Sequence, residues 1–182
     1  MMFGHGPLQG FRVSPRSIAD IRDVATRSRA ALGFRWPANM GRFLEQLISY
    51  SITVDVVEDT GVLPRGVLAC WVPESLTLYL TERIYKGACA GDARAVFTVF
   101  HEMGHALLGH RRTLNREVPG QEIKTYEDSE WQANQFAAEF LMPLDEIVRY
   151  SLTTEALLLN RFGVSMEAAR IRLNRLRRTG VV

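Results

Sequence analysis

The stretch VFHEMGHALLGH, residues 99–110, constrains this chain most, because it holds three of the four histidines. Drawn as a helix with 100° per residue, it places His101 and His105 on one side, with Glu102 beside them. Four apolar side chains fall on the opposite side: Val96, Val99, Met103 and Leu107. The stretch therefore predicts an amphipathic helix that packs one face on a core and turns a polar trio toward a cleft.

The polar trio has the spacing HExxH, which is typical of zinc hydrolases. Side chains four residues apart on a helix lie roughly 5–6 Å apart at Cβ, so the imidazoles of His101 and His105 can bind one zinc ion. Glu102 points away from this axis and is predicted to act as the catalytic base on a nearby water. The alternative is a solvated helix edge, but chance would give the pattern only roughly 0.006 times in a chain of this composition.

A catalytic zinc site needs a third protein ligand and one open position. His110 does not complete the three-histidine pattern HExxHxxGxxH, because Gly109 comes one residue late and His110 one residue early. Glu130, which opens the segment EWQANQFAAEFLMP, is the preferred third ligand, and Glu127 is the next choice. Glu139 lies deep in an apolar segment and fits a structural role better.

The segment that Glu130 opens has two further features. Ala133 and Ala137 are small enough to let this helix approach the HExxH helix closely. Asn134 lies one turn after Glu130 and is predicted to hydrogen-bond a metal ligand. Acyl transfer also needs a donor for the developing oxyanion. Several side chains are candidates for that role: Tyr126, His110, Arg111 and Arg112.

The rest of the chain predicts an α+β fold. Ser14-Pro15 is predicted to start a first helix that runs to about Leu32. Further helices are expected at about 39–48, 92–108, 128–141, 154–161 and 166–178. Three consecutive runs, ITVDVVED, RGVLACWV and SLTLYL, predict strands, and a small antiparallel three-stranded sheet packed on the helices is expected.

The C-terminal segment ALLLNRFGVSMEAARIRLNRLRRTG has the pattern of a helix-turn-helix, in which Gly163 ends one helix and Ser165 caps the next. From residue 161 onward there are six arginines and one glutamate. Arg170, Arg172 and Arg175 are the candidates for contacts to nucleic acid or a partner protein. The alternative is a packed helical pair with a solvated arginine face. We expect a metallopeptidase domain at 1–145 and a helical subdomain at 146–182.

The segments FTVFHEMGHALLGH and EWQANQFAAEFLMP together resemble the ImmA/IrrE family of zinc metallopeptidases. The resemblance is strongest over about residues 75–145. It implies a zincin-like core that holds one Zn²⁺ per chain through His101, His105 and Glu130, with Glu102 as the catalytic glutamate. It also implies a zinc endopeptidase that cleaves or inactivates a helix-turn-helix repressor encoded nearby, in a stress or mobile-element context.

The sequence is also compatible with two other functions. One is a DNA-binding or toxin–antitoxin-type regulator in which zinc is structural, although an acidic middle segment at 114–155 would repel nucleic acid. The other is a metal-dependent hydrolase of a small amide. A structural zinc would need a fourth protein ligand, and none fits the spacing, because Cys70 and Cys89 both precede the motif.

The sequence also predicts a cytoplasmic location and no membrane contact. Cys70 and Cys89 form no CxxC pair and no disulfide framework, which is typical of a reducing compartment. Residues 1–11 lack the cationic and apolar parts of a signal peptide, and His5 in this tail is expected to take no part in the site. No stretch approaches 18 uninterrupted apolar residues.

Overall fold

A computed structural model describes residues 10–111 and 123–182. Within these ranges the α-helices are α1 (Ile18–Ala31), α2 (Met40–Gln46), α3 (Glu82–Cys89), α4 (Ala93–Leu107), α5 (Ser129–Leu141), α6 (Leu144–Arg149), α7 (Glu155–Phe162) and α8 (Met166–Arg178). The strands are β1 (Thr53–Val57), β2 (Ala69–Val72) and β3 (Thr77–Thr81), and two short 3₁₀ turns cover Leu47–Tyr50 and Thr125–Glu127. The predicted α+β class is confirmed.

Some of the predictions fall on parts of the chain outside the described residues. They concern the tail with His5, most of residues 1–11, and Arg112 as an oxyanion donor. Within the described part, no helix combines the length and the apolar character needed to cross a bilayer. Cys70 and Cys89 are both free thiols.

The sheet is mixed, so the prediction of a purely antiparallel sheet is wrong. The strand order is β1-β3-β2, with β2 antiparallel to β3 and β1 parallel to β3. An antiparallel sheet was expected because short turns join consecutive strands into hairpins. Instead the β2–β3 hairpin docks with β3 beside β1, because Leu78 and Leu80 of β3 are almost fully buried and take the central place.

The first helix starts three residues later than predicted. Ser17, not Ser14, is the N-cap of α1, because Ser17 and Asp20 form a capping box with their backbone N–H groups. The residues before it are held elsewhere, since the N–H of Val13 donates to the carbonyl of Glu127. This N-terminal segment therefore runs along the start of α5, where Arg12 and Asp128 form an isolated β-bridge.

The two helices that carry the predicted ligands begin where the sequence indicates. Asp92 caps α4 by accepting from the N–H groups of Arg94 and Ala95. Asp128 caps α5 in the same way through Glu130 and Trp131. Two further helices were not predicted: α3, which follows β3 directly, and α6, which begins directly after Pro143.

The core lies between the sheet, α1, α4 and α5. Its centre is a group of aromatic rings in which Phe100 of α4 stacks on Phe140 of α5 at 4.5 Å between centroids. Phe34 packs edge-on against Phe100. The predicted apolar face of α4 is buried at Val96, Val99 and Met103, while Leu107 is partly exposed. This packing fixes the rotation of α4 and therefore the direction of its histidines.

The C-terminal helices end and begin as predicted. Gly163 terminates α7 with a left-handed backbone (φ 62°), and Ser165 caps α8. The prediction that Arg172 contacts nucleic acid or a partner protein is wrong. Arg172 is only 2% exposed and pairs with Glu139 of α5. The division into two units at residue 145 stays a prediction.

Candidate metal centre

Close contact between α4 and α5 creates the centre. A Cβ at Gly104 would lie only 3.0 Å from Cα and 3.1 Å from the carbonyl oxygen of Ala133. Such distances are shorter than ordinary van der Waals contact, so a side chain at residue 104 would push the two helices apart by a few tenths of an ångström. Ala133 and Ala137 are fully buried on the facing side of α5, as the small residues there predicted.

The predicted ligands His101, His105 and Glu130 converge at this contact. The Nε2 atoms of the two histidines are 3.2 Å apart. Glu130 places one carboxylate oxygen 3.1 Å from Nε2 of His101 and the other 3.2 Å from Nε2 of His105. The described residues offer no fourth His, Cys, Asp or Glu to this group.

These distances fit a tetrahedral zinc ion. Ligand atoms at about 2.0–2.1 Å from zinc with tetrahedral angles lie roughly 3.3 Å from one another. The three observed contacts are 3.1–3.2 Å long, two of them made by different oxygens of Glu130. The three side chains therefore stand at the spacing that ligands of one zinc ion have. Two imidazoles and one carboxylate are also the donor set of catalytic zinc sites, which keep one position open.

The three groups affect one another's proton affinity. Hydrogen bonds with His101 and then His105 hold the pKa of Glu130 far below its ordinary value of 4.5. For His101, burial acts to lower the pKa, but the contact with Glu130 and the carboxylate of Glu102 prevail and raise it above 6.5. The site therefore stabilises Glu130 as an anion and attracts positive charge next to it. A divalent cation would supply that positive charge.

Asn134 contacts the first histidine from behind. Its Oδ1 lies 3.0 Å from Nδ1 of His101. When the amide oxygen accepts this bond, Nδ1 of His101 carries a proton, and a neutral ring then keeps the Nε2 lone pair available to a metal ion. The structure thus brings Asn134 to the position that the sequence predicted.

Glu102 lies beside the three ligands without joining them. Its Oε1 is 4.0 Å from Nε2 of His101, too far for a shared ligand position. Its Oε2 accepts a 2.9 Å hydrogen bond from the backbone N–H of Trp71 in β2. Trp71 was not singled out from the sequence, because a main-chain donor on a distant strand leaves no trace in residue type.

His110 lies behind the second histidine, away from the cleft. Its Nδ1 is 3.0 Å from Nδ1 of His105, and its Nε2 is 3.0 Å from Oε1 of Gln132. The ring is only 4% exposed, and burial lowers its pKa to about 4. Both ring nitrogens are therefore engaged, and the structure does not bring His110 to a place where it can donate to an oxyanion.

The other candidates lie farther from the three ligands. Glu127 pairs with Arg12 at 3.5 Å and is not part of the ligand group. The ring of Tyr126 is 43% exposed and stacks under Lys124, so its role as an oxyanion donor stays a prediction, as does that of the exposed Arg111. Arg170 is exposed and Arg175 partly buried on α8, and their predicted contacts also stay predictions.

Replacing Gly104 by valine is expected to disturb both the fold and the site. The branched side chain would meet the backbone of Ala133, and overpacking of this kind costs about 1–3 kcal/mol. Because Glu130 sits on α5 and the histidines on α4, separating the helices should also weaken zinc binding. Urea denaturation and a zinc titration measure the two effects, with Arg94→Val on the exposed side of α4 as the control. Wild-type zinc affinity in Gly104→Val would contradict this account of the helix contact.

The fold and the site define a metallopeptidase-type domain. The sequence matches the peptidase M78 family, described as the IrrE N-terminal-like domain, over residues 65–174. The match covers more than half of the chain, and the protein belongs to this family. The resemblance seen in the sequence is therefore confirmed.

A solved structure, described as a Mycobacterium tuberculosis transcriptional regulator, has a similar fold. The two chains are 21% identical and superpose with a TM-score of 0.56. The likeness covers 84% of this chain but 46% of the regulator, so this chain spans less than half of that protein's length. Among curated proteins, none matches the sequence.

Proposed function

We propose that this protein is a zinc-dependent endopeptidase that cleaves, and so inactivates, a helix-turn-helix repressor encoded nearby. The observation that supports it most is the convergence of His101, His105 and Glu130, whose contacts of 3.1–3.2 Å are close to the spacing of ligands around tetrahedral zinc. Membership of the peptidase M78 family agrees with a protease. The proposal includes the stress or mobile-element context in which such regulation operates.

The chain's own residues can carry the proton transfers of peptide hydrolysis. A bound zinc ion would polarise the scissile carbonyl and lower the pKa of a water toward about 7. Glu102 would accept the proton of the attacking water and pass it to the leaving amine. The N–H of Trp71 holds the carboxylate of Glu102 by its Oε2, which leaves Oε1 on the side of His101.

A protein substrate fits the sheet edge beside this carboxylate better than a small amide does. β2 is an edge strand of the sheet. The N–H of Trp71 donates to Glu102, which shows that this N–H points away from β3. An extended peptide can bind such an edge by main-chain hydrogen bonds. A peptide laid along β2 would pass next to Glu102 and the three ligands, so this edge supports endopeptidase activity.

The test is to incubate the purified, zinc-loaded protein with repressors encoded beside it and to follow cleavage by mass spectrometry. We expect a defined cut that disappears when a chelator removes zinc and returns when zinc is restored. A chelator-insensitive cut would point to contaminating protease. Zinc binding without cleavage of any neighbouring repressor would count against the proposed substrate.

The alternative regulator of the DNA-binding or toxin–antitoxin type has weaker support. Arg170 remains exposed on α8, but Arg172 is buried against Glu139 and cannot reach a phosphate. A closed structural zinc would need a fourth protein ligand, whereas the described residues supply three. This alternative predicts salt-dependent binding of duplex DNA that is unchanged in Glu102→Gln.

A further inference from the structure

We infer that His110 and Gln132 are positioning residues that hold His105 in the ring tautomer whose Nε2 lone pair faces the metal position. The inference rests on the proposed function, because it concerns the same zinc centre. It assigns a role to a histidine that the HExxH motif does not include. It also assigns a role to Gln132, a buried glutamine of α5 that belongs to no sequence motif.

Two main-chain carbonyl groups determine the orientation of the Gln132 amide. Its Nε2 lies 2.9 Å from the carbonyl oxygen of Ser14 and 2.8 Å from that of Tyr126. Main-chain carbonyl groups only accept hydrogen bonds, so the side of the amide that faces both of them must be the NH₂ group. The amide cannot be flipped without opposing oxygen to oxygen, and Oε1 is therefore fixed toward His110.

The orientation of the Gln132 amide determines which ring nitrogens of His110 and His105 carry a proton. Oε1 of Gln132 accepts at 3.0 Å, so Nε2 of His110 carries a proton. A neutral imidazole has one N–H, which leaves Nδ1 of His110 as an acceptor. That acceptor lies 3.0 Å from Nδ1 of His105, which must then donate. In the zinc-loaded protein, Nε2 of His105 is then left with its lone pair for the metal position, which Nε2 of His101 and the carboxylate of Glu130 also face.

The two ligand histidines are therefore held in different ways. His101 contacts the side-chain amide of Asn134 directly. His105 is linked through two buried side chains to the main chain of the segment before α1 and of the turn before α5. Phe11 of the N-terminal segment also packs edge-on against His110, with 6.4 Å between ring centroids. The segment preceding α1 thus forms the rear wall of the metal centre.

A matched pair of variants tests this role. His110→Leu removes the acceptor for His105, whereas the amide oxygen of His110→Asn takes nearly the position of the lost Nδ1. We expect zinc affinity, measured by competition with a chromophoric chelator, to fall about 10–100-fold in His110→Leu. His110→Asn should recover most of that loss. Leu173→Ala, a buried change in α8, serves as the control that lowers the melting temperature without changing zinc affinity.

A second measurement needs no variant. Nitrogen-15 NMR of the histidine rings in the wild-type, zinc-loaded protein should show the His110 proton on Nε2 and none on Nδ1. It should also show a slowly exchanging proton on Nδ1 of His105. A proton on Nδ1 of His110 would overturn the inference, as would equal zinc affinity of wild type and His110→Leu. Both results would leave the endopeptidase proposal standing, whereas a wild-type protein that binds no zinc would sink that proposal as well.

Discussion

Replacing Glu102 by glutamine is expected to stop peptide cleavage while zinc remains bound. The amide keeps the shape of the side chain, and its oxygen can still accept from the N–H of Trp71. An amide cannot accept the proton of the attacking water, and general acid–base catalysis contributes about 10²–10⁴-fold to a rate. We expect the rate constant for cleavage of the repressor, measured under single-turnover conditions, to fall by about 10²-fold or more.

The variant separates catalysis from metal binding because Glu102 is not a ligand. Its Oε1 is 4.0 Å from Nε2 of His101, so zinc content and zinc affinity should match wild type. Glu130→Ala is the contrasting variant, since it removes one of the three ligands and should lose zinc and activity together. If Glu102→Gln cleaved within tenfold of the wild-type rate, another group would have to be the base.

The metal-binding helix could be predicted from the sequence because all the information it needs is local. The spacing of His101 and His105, the apolar stripe opposite them and the capping residue Asp92 all lie within one helix and its first turn. Helical geometry then places both imidazoles on one side whatever the helix packs against. The same reasoning applies to Asp128 as the cap of α5.

The choice of Glu130 rests on a weaker kind of information. It depends on which face of α5 meets α4, and the small residues Ala133 and Ala137 indicate that face. Nothing within α5 alone states how close the helices come. That distance depends on Gly104 of the other helix, whose absent Cβ leaves room for the backbone of Ala133.

Features that depend on distant partners could not be predicted. An arginine in a basic helix is expected at the surface. Arg172 is buried because it pairs with Glu139, which lies on another helix. His110 was a candidate oxyanion donor in the cleft, but Gln132, 22 residues away, holds it behind His105. The order of the strands likewise depends on how a hairpin docks, which the turn between its two strands does not determine.

Removing Arg172 is expected to cause the largest loss of stability. Its guanidinium donates two hydrogen bonds, of 2.6 and 2.5 Å, to the carboxylate of Glu139, and one to the carbonyl of Met142. Both ionic side chains are essentially inaccessible to water. Breaking such a pair by replacing one partner costs about 3–5 kcal/mol, because the other charge stays buried. Arg172→Met should show this loss in urea denaturation.

The double variant distinguishes a buried-charge penalty from simple loss of packing. In Arg172→Met with Glu139→Leu, no charge of the pair remains, and replacing a buried pair by apolar side chains is often neutral or stabilising. Arg22, which also bonds Glu139, is 32% exposed and can turn to water. The buried Nε2 of Gln135 also donates to Glu139 and would lose this acceptor, at a cost of about 1–3 kcal/mol. We therefore expect the double variant to be more stable than Arg172→Met but less stable than wild type. A double variant as unstable as Arg172→Met would contradict this interpretation.

The same ion pair predicts how stability depends on pH. Burial tends to raise the pKa of Glu139, but the hydrogen bonds and charges of Arg172 and Arg22 prevail and hold it below its ordinary value of 4.5. A carboxyl group whose pKa is lower in the folded state stabilises the fold above its unfolded value and loses that effect as the pH falls. Wild type should therefore lose stability steadily below about pH 4.5, and the double variant should lose less over the same range. Only wild type carries the carboxylate of Glu139, which must be protonated among arginines as the pH falls. If the free energy of unfolding fell equally with pH in both proteins, Glu139 would contribute nothing to acid unfolding.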